Sequence, residues 1–193
     1  MQRLCVFCGS STGARPEYAE AARRLGAVLA GRGADLVYGG GRVGLMGVVA
    51  DAVLAAGGRV TGVIPRFLFS KEIDHKGVTD LRVVGTMHER KALMADLADG
   101  FVALPGGFGT LDEFCEIITW AQLGLHRKPC GLLNVAGYYD AFLAFLDRAA
   151  ADGFVQPAFR ALVLADDEPE RLLDRMSRYR PPETPRWLAH EQR

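Results

Sequence analysis

Residues 101–122 read FVALPGGFGTLDEFCEIITWAQ, and this stretch decides the fold of the chain. Its first four residues are apolar and prone to β-structure, and they are followed by Pro105 and a pair of glycines. From Thr110 onwards apolar residues recur at helical spacing, at Phe114, Ile117, Ile118 and Ala121. The stretch therefore predicts a buried strand, a tight loop and the start of a helix.

The predicted helix start is suited to an anion. The first backbone N–H groups of a helix have no intrahelical acceptor, and the helix dipole places partial positive charge beside them. Gly106, Gly107 and Gly109 allow a ligand to approach the backbone because they carry no Cβ atom. We therefore predict a phosphate or carboxylate site here, with the carboxylate of Glu113 one turn inside the helix.

The same residues also have a purely structural interpretation. Thr110-Leu-Asp-Glu113 matches a capping box, in which the threonine is the N-cap and the glutamate reaches back to close the first turn. The two hypotheses are compatible, since a cap also fixes the position of a carboxylate. The pattern alone permits both catalysis and capping for Glu113.

Strand and helix patterns alternate along the rest of the chain. Further strands are predicted at 3–8, 34–38, 59–64, 81–84, 130–134 and 161–165, and further helices at 16–29, 45–54, 87–97, 138–150 and 168–179. The connection at 65–77 shows no regular pattern. This alternation predicts an α/β fold, with a single Rossmann-like, doubly wound and mostly parallel sheet of about seven strands and helices on both faces. We expect one domain over 1–179 and a proline-containing surface tail over 180–193.

Composition favours a small molecule as the partner. The 193 residues are 49% hydrophobic, and 23 basic residues balance 23 acidic ones. A chain without net charge has no bulk field that would attract nucleic acid or a membrane surface. The N-terminus has no signal-peptide pattern, and no apolar stretch approaches the roughly 20 residues of a membrane span. We expect a cytoplasmic protein that binds neither nucleic acid nor a membrane.

The cysteines and histidines do not predict a metal site. Cys5-x-x-Cys8 has the spacing of a redox or metal motif, but it lies in a predicted strand, where residues three apart point to opposite faces. Four scattered cysteines suit a reducing compartment, and the four histidines show no ligand spacing. No metal is predicted.

A second glycine-rich loop follows the second predicted strand. Gly39 to Gly44 matches G-x-G-x-x-G, the fingerprint of dinucleotide binding. That fingerprint normally follows the first strand and is followed about 20 residues later by an acidic residue, whereas this chain has Arg66 there. The loop therefore favours a turn that admits a phosphate or a sugar. The alternative is an NADP site in which Arg66 meets the 2′-phosphate.

Two cations lie in the first turns of the helix predicted at 87–97. Arg90 and Lys91 are poorly placed for a helix dipole, which favours anions at this end. An anionic ligand or partner would compensate the two charges, and simple exposure to solvent is the alternative.

Two separated motifs resemble those of a known family. Residues 105–113, PGGFGTLDE, fit P-G-G-x-G-T-x-x-E, and residues 87–91, MHERK, fit its companion motif. Together they resemble the LOG ("lonely guy") family of cytokinin riboside 5′-monophosphate phosphoribohydrolases. Similar stretches between residues 3 and 165 are CVFCGSS, LVYGGG, VGLMG, GVIP, IITWAQLG and LLNVAGYY. The family is often mislabelled lysine decarboxylase, an activity that would need a pyridoxal-phosphate lysine, which the surroundings of the four lysines do not suggest.

The resemblance implies an enzyme without a cofactor that acts as a homodimer. The expected reaction hydrolyses the N-glycosidic bond of an N6-substituted adenosine 5′-monophosphate, and of AMP itself, to free base and ribose 5-phosphate. Arg90 and Glu113 are expected to be the catalytic pair. Substrate contacts are expected at Gly9, Ser10, Gly40, Gly41, Glu72, Met87, Lys91, Gly106, Gly107, Phe108, Gly109, Thr110 and Thr119. Asp112 and Arg42 depart from the commonest family residues, and Arg42 bears on substrate preference more than on chemistry.

The chemistry of this reaction suits the two residue types. Cleavage of C1′–N9 develops positive charge on the sugar and negative charge on the purine, so a carboxylate is needed near C1′ and a cation near the base. Glu113 could instead orient or deprotonate the attacking water, and Arg90 could anchor a ribose hydroxyl or the phosphate. The rival functions are a non-catalytic nucleotide-binding module of the same fold and an NADP-dependent oxidoreductase.

Overall fold

The structure is a computed structural model that describes residues 1–69, 75 and 77–182. Glu72, one of the expected substrate contacts, and most of the predicted tail at 180–193 lie outside the described residues.

Seven strands alternate with helices in these ranges. The strands are β1 (Arg3–Phe7), β2 (Asp35–Tyr38), β3 (Val60–Pro65), β4 (Asp80–Val84), β5 (Gly100–Ala103), β6 (Cys130–Leu133) and β7 (Val163–Asp166). The longer helices are α1 (Pro16–Gly31), α2 (Gly44–Ala55), α4 (Met87–Leu97), α5 (Phe108–Gln122), α6 (Asp140–Ala151) and α8 (Pro169–Ser177). Two single-turn helices, α3 (Arg66–Phe69) and α7 (Pro157–Arg160), and a 3₁₀ turn at Val135–Gly137 complete the described elements.

The strands form one sheet in the order β4-β3-β2-β1-β5-β6-β7, and every pairing among them is parallel. The chain winds outward from β1 to β4 and then returns to place β5 on the other side of β1. The strand order therefore reverses between β1 and β5, and in open α/β sheets ligands bind in the crevice at such a point. The α/β, doubly wound prediction is confirmed, with a wholly parallel sheet in the described chain.

Helices cover both faces of the sheet, and each face has its own core. One core joins α1, α2 and α8 to side chains such as Leu4, Val6 and Cys8 of the first strand and the loop after it. The other joins α4, α5 and α6 to the opposite side of the same strand, through Cys5 and Phe7. Cys5 and Cys8 therefore point to opposite faces, as predicted, and both thiols are free and buried.

Three details differ from the sequence-based expectation. The connection after β3 begins with the single turn α3, and α7 precedes the last strand; both are too short to show a helical period. The third difference concerns the start of α5, which is at Phe108 and not at Thr110. In the part of the chain that the structure describes, no helix is long and apolar enough to cross a membrane.

Candidate active site

Two loops bound the crevice between β1 and β5. The loop after β1 begins at Cys8 and includes Gly9, and the loop after β5 contains Pro105, Gly106 and Gly107. The N–H of Gly9 donates to the carbonyl of Pro105 (3.1 Å), and the N–H of Leu45 donates to the carbonyl of Gly9 (3.0 Å). These bonds hold the two loops and the start of α2 together at the carboxyl ends of the central strands.

The start of α5 is an open helix N-terminus facing this crevice. Gly107 is the N-cap, with no side-chain cap, and the carbonyl of Gly107 accepts the N–H of Leu111 (3.1 Å). Among the described residues, the N–H groups of Gly107, Phe108 and Gly109 donate to no protein acceptor. Such groups favour an anion, so the predicted anion-binding position has the required geometry.

The capping box predicted for α5 is wrong. Thr110 lies inside the helix and is not its N-cap. The Glu113 carboxylate accepts a hydrogen bond from Arg90 and does not reach back to the first turn. A glycine N-cap needs no side-chain acceptor when the crevice in front of it is left for a ligand.

A capping box of this general kind occurs instead at α4. The Thr86 hydroxyl accepts the N–H of Glu89 (3.1 Å), and Oε2 of Glu89 accepts the N–H of Gly85 (2.7 Å). The pair fixes the first turn of α4, which carries Arg90. The sequence signal, Thr-x-x-Glu before a helical run, was present at 86–89 and was missed in favour of the one at 110–113.

Arg90 and Glu113 form a buried ion pair between α4 and α5. A terminal nitrogen of the guanidinium donates to Oε1 of the carboxylate, and each side chain is 11% exposed. Burial raises the pKa of Glu113, while the neighbouring Arg90 acts in the opposite direction. Carboxylates whose pKa is shifted by burial and by a neighbouring charge concentrate at functional sites, so Glu113 is a candidate functional residue.

The Arg90 guanidinium keeps donor capacity after pairing with Glu113. Its Nε is buried and has no hydrogen-bond acceptor among the described residues. A Cβ atom placed on Gly39 would lie 3.5 Å from the other terminal nitrogen, so that glycine borders the guanidinium. An unpaired buried donor is costly, and a ligand acceptor would satisfy it.

Lys91, next in sequence, points to a different partner. Its ammonium lies 3.0 Å from Oε1 of Glu116 and 3.2 Å from Oδ2 of Asp112, and the side chain is 10% exposed. Burial opposes the charge of Lys91, but the hydrogen bonds and charges of Glu116 and Asp112 outweigh it and raise the Lys91 pKa. Arg90 and Lys91 are therefore not simply solvated, since α5 supplies a carboxylate to each.

Two neighbouring cavities occupy the crevice. The larger, of about 640 Å³, is lined by both members of the ion pair and by the start of α5. Its wall also includes apolar side chains, among them Met46, Leu68 and Met87. The smaller, of about 310 Å³, lies against Gly106, Ser11 and Tyr138, and shares Gly9, Ser10 and Gly107 with the larger.

Most of the expected site residues meet at these cavities. The larger one is lined by Gly9, Ser10, Met87, Arg90, Gly107, Phe108, Gly109, Thr110 and Glu113, and the smaller one adds Gly106. Phe108 is 94% exposed, so its ring stands free at the rim.

The other expected contacts lie away from these two cavities. Gly40 and Gly41 are buried in the loop after β2, where the Gly40 carbonyl accepts the N–H of His75 (3.0 Å). Thr119 is exposed on α5 and donates its hydroxyl to the carbonyl of Cys115 (2.8 Å). Lys91 lines neither cavity. Substrate contact stays a prediction at all the expected positions, both those that line the cavities and those that do not.

Close packing constrains two glycines of the loop at Gly39–Gly44, while Gly39 and Val43 of the same loop line the larger cavity. A Cβ atom on Gly44, where φ is +60°, would lie 2.3 Å from the backbone of Ser10, and one on Gly40, where φ is +76°, would lie 3.0 Å from Ile64. These glycines are required by close approach between protein segments, and the loop follows β2 and not the switch-point strand β1. Packing therefore accounts for this fingerprint match without a dinucleotide.

Two tyrosines that sequence reasoning did not select support the central loop. Tyr138 donates its hydroxyl to the carbonyl of Gly106 and Tyr139 donates to the carbonyl of Leu104, both at 2.6 Å. The only sequence signal was the Gly-Tyr-Tyr pair after the sixth strand. No group of three or more residues able to hold a metal occurs in the described ranges.

Comparison with known proteins shows which family the chain resembles. A family model described as "Possible lysine decarboxylase" matches residues 46–176. A "probable cytokinin riboside 5′-monophosphate phosphoribohydrolase" of Oryza sativa subsp. japonica is 56% identical over 180 residues, which cover 93% of this chain and 79% of the relative. A cytokinin riboside 5′-monophosphate phosphoribohydrolase of Arabidopsis thaliana is 52% identical over 180 residues, 93% of this chain and 83% of the relative.

Solved structures share the fold at lower identity. The molybdenum cofactor binding protein of Rippkaea orientalis superposes with a TM-score of 0.70 at 21% identity, covering 92% of this chain and 97% of that protein. The molybdenum cofactor carrier protein of Chlamydomonas reinhardtii gives 0.69 at 20% identity, with 92% and 96% covered. At this identity the likeness extends to the fold alone.

The crevice and the sheet around it define a Rossmann-like α/β protein with an open helix N-terminus beside a buried carboxylate. Within that class, the chain belongs to the LOG family, whose curated members are the cytokinin riboside 5′-monophosphate phosphoribohydrolases. The resemblance stated from the two motifs is confirmed.

Proposed function

We propose that this protein hydrolyses the N-glycosidic bond of N6-substituted adenosine 5′-monophosphates, releasing the free base and ribose 5-phosphate. The observation that carries the proposal is the Arg90–Glu113 pair, buried in a cavity that the open N-terminus of α5 also lines. About half of the residues of the named relatives are shared over most of the chain. AMP is expected to be a second substrate.

The phosphate end of the substrate supplies the positioning. A 5′-phosphate accepts hydrogen bonds from the free N–H groups of Gly107, Phe108 and Gly109, where the helix dipole favours its charge. Binding energy from this remote group can hold C1′ against Glu113. Nucleotides are therefore expected to be cleaved far better than the corresponding nucleosides.

The reaction itself divides between the two buried side chains. As C1′–N9 breaks, its electron pair leaves with the purine and positive charge grows at C1′, where the Glu113 carboxylate stabilises it or orients the attacking water. Water supplies the oxygen at C1′ and a proton that ends on the purine. The positive charge of Arg90 favours the ionised form of Glu113. The remaining N–H donors of Arg90 are directed toward the negative charge that develops on the purine.

The lysine decarboxylase description does not suit Lys91. A Schiff-base lysine must lose its proton, whereas the carboxylates of Glu116 and Asp112 raise the Lys91 pKa. The ammonium is held as a structural cation between α4 and α5.

We propose further that the protein is a cytoplasmic homodimer. Its four cysteines are free, as suits a reducing compartment. Phe145, on α6, and Phe154, which follows α6, are 64% and 86% exposed, and exposed apolar side chains of this size favour a partner surface. Sedimentation of the wild type and of Phe145→Ser/Phe154→Ser tests the assembly: a monomeric wild type would contradict it.

The reaction is tested by chromatography of the protein incubated with N6-isopentenyl-AMP, AMP and the two nucleosides. We expect base and ribose 5-phosphate from the nucleotides at rates far above those from the nucleosides. Nucleotide retention without release of base would replace this proposal with the binding module.

A further inference from the structure

We propose that Tyr138 is a positioning residue: its hydroxyl fixes the orientation of the Gly106–Gly107 peptide and so directs the Gly107 N–H toward the phosphate of the substrate. That the bound anion is a substrate phosphate rests on the proposed function. The hydrogen bond between Tyr138 and the loop does not depend on whether the protein turns over a substrate. Nothing in the family motifs assigns this role to the tyrosine.

Three consecutive carbonyl groups of the loop after β5 are hydrogen-bonded to other segments of the protein. The Leu104 carbonyl accepts the Tyr139 hydroxyl (2.6 Å), the Pro105 carbonyl accepts the Gly9 N–H (3.1 Å), and the Gly106 carbonyl accepts the Tyr138 hydroxyl (2.6 Å). Three consecutive acceptors are thus satisfied by three separate donors. The peptide planes of the loop are fixed even though the loop contains two glycines.

Fixing a carbonyl also fixes the N–H of the following residue. In a trans peptide the C=O and the N–H lie in one plane and point in opposite directions, and the described residues contain no cis peptide. The bond from Tyr138 to the Gly106 carbonyl therefore turns the Gly107 N–H away from Tyr138. That N–H donates to no acceptor in the described chain and lies at the N-cap of α5, next to the other free donors.

Gly107 benefits from such support because no side chain packs against it. It is exposed, and a Cβ atom placed on it would meet nothing within 4 Å, so no side-chain packing restrains this peptide. An anion site that is preorganised binds more tightly than one that must be ordered by its ligand. The hydrogen bond from Tyr138 holds the Gly106–Gly107 peptide in place from the side opposite the proposed phosphate.

Tyr138 is itself held rigidly. Its ring makes edge-to-face contacts with Tyr18 (centroids 5.6 Å apart) and Tyr139 (5.0 Å). The turn before it contains Ala136 at a φ of +51°, a strained conformation for a residue with a side chain. At the other end of the turn, the Asn134 side chain accepts the Tyr139 N–H (2.7 Å) and donates to Asp140 (2.7 Å).

The test compares Tyr138→Phe with Tyr18→Phe. Tyr18 lines the same small cavity and touches the Tyr138 ring, but its hydroxyl bonds no carbonyl of the loop, so it is a matched control. Binding of inorganic phosphate and of ribose 5-phosphate is measured by calorimetry, and the ligand-free proteins are compared by ¹H–¹⁵N NMR at the Gly107 amide.

Loss of the one hydrogen bond is expected to weaken binding of both anions about five- to tenfold in Tyr138→Phe. The Gly107 amide signal of the ligand-free protein should shift or broaden in Tyr138→Phe, and KM for the nucleotide should rise more than kcat falls. The Gly107 amide signal of the ligand-free protein should be unchanged in Tyr18→Phe, because that hydroxyl bonds no carbonyl of the loop.

Two results would overturn the inference. Unchanged phosphate binding in Tyr138→Phe would show that the loop needs no such support. Weaker binding with an unchanged Gly107 signal would make Tyr138 a direct ligand contact and not a positioning residue. A wild-type protein that binds phosphate but releases no base would contradict the proposed function and leave the role of Tyr138 intact.

Discussion

The guanidinium of Arg90 donates to the carboxylate of Glu113 across the α4–α5 interface, and both side chains are almost wholly shielded from solvent. Glu113→Gln keeps the shape of the side chain and an acceptor for Arg90 but removes the negative charge. We expect base release to fall at least about 100-fold, because the charge that develops at C1′ loses its stabilising partner. Chromatography measures the rate, and calorimetry with AMP should show nearly unchanged binding. Loss of AMP binding in parallel with turnover would instead make Glu113 a binding residue.

The Arg90–Glu113 ion pair is also expected to affect the free energy of unfolding. Arg90→Met leaves the Glu113 carboxylate buried without a cation, which is expected to lower the free energy of unfolding by about 3–5 kcal/mol at neutral pH. In Arg90→Met/Glu113→Gln the uncompensated charge is gone, so much of that loss should be recovered. Urea unfolding of the wild type, both single variants and the double variant measures the coupling. Strictly additive effects would mean that the two groups do not interact energetically.

The acid side of the pH–activity profile should report the Glu113 carboxylate. Burial raises its pKa, so kcat/KM is expected to rise with pH through a range above the ordinary glutamate value. Asp112 raises the same pKa by its negative charge and Lys91 lowers it by its positive charge. Asp112→Asn is therefore expected to move the acid limb to lower pH, and Lys91→Met to higher pH. Shifts of equal sign in the two variants would exclude Glu113 as the titrating group.

The raised pKa of Glu113 also affects the stability of the fold. Stability is expected to fall as pH rises, whereas kcat/KM is expected to rise. Because the folded protein holds the Glu113 proton more tightly than the unfolded chain, ionisation of this group lowers the free energy of unfolding as pH rises through the folded pKa. Glu113→Gln removes this dependence. The stability of the variant relative to the wild type is expected to increase with pH over that range, measured by urea unfolding at several pH values. A difference that does not vary with pH would show an unshifted pKa.

Gly109 and Gly106 should respond differently to alanine. A Cβ atom on Gly109 meets nothing within 4 Å, and alanine favours a helix over glycine, so Gly109→Ala is expected to gain about 0.5–1 kcal/mol of stability while raising KM for nucleotides. A Cβ atom on Gly106 would lie 2.1 Å from Oγ1 of Thr110, so Gly106→Ala is expected to destabilise the protein. Thermal unfolding and nucleotide kinetics separate the two effects. Unchanged KM in Gly109→Ala would place the phosphate elsewhere.

Sequence periodicity was sufficient for the seven strands, the longer helices and the position of the switch-point crevice. Continuous apolar runs and glycine loops are local signals, so the switch-point crevice could be expected from 101–122 together with the first strand. The carboxylate partners of Arg90 and Lys91 could not be predicted from the sequence. Arg90 and Glu113, for example, meet only through the packing of two helices in the folded chain. The capping box was assigned to the wrong helix because Thr86–Glu89 and Thr110–Glu113 have the same local pattern. Only tertiary contact shows which glutamate closes a turn.

Because β5 lies beside β1, the crevice between them can form only after β5 has been synthesised. The first four strands pair in chain order on one side of β1, so the growing chain can build half a sheet whose β1 edge stays open until Gly100–Ala103 has been translated. The 19 residues after Val84, through Ala103, take roughly 1 to 4 seconds at ordinary synthesis rates. An unpaired strand edge with four consecutive apolar residues is a template for incorrect pairing. This period on the ribosome, before any substrate could bind, is when we expect the chain to be most prone to aggregation.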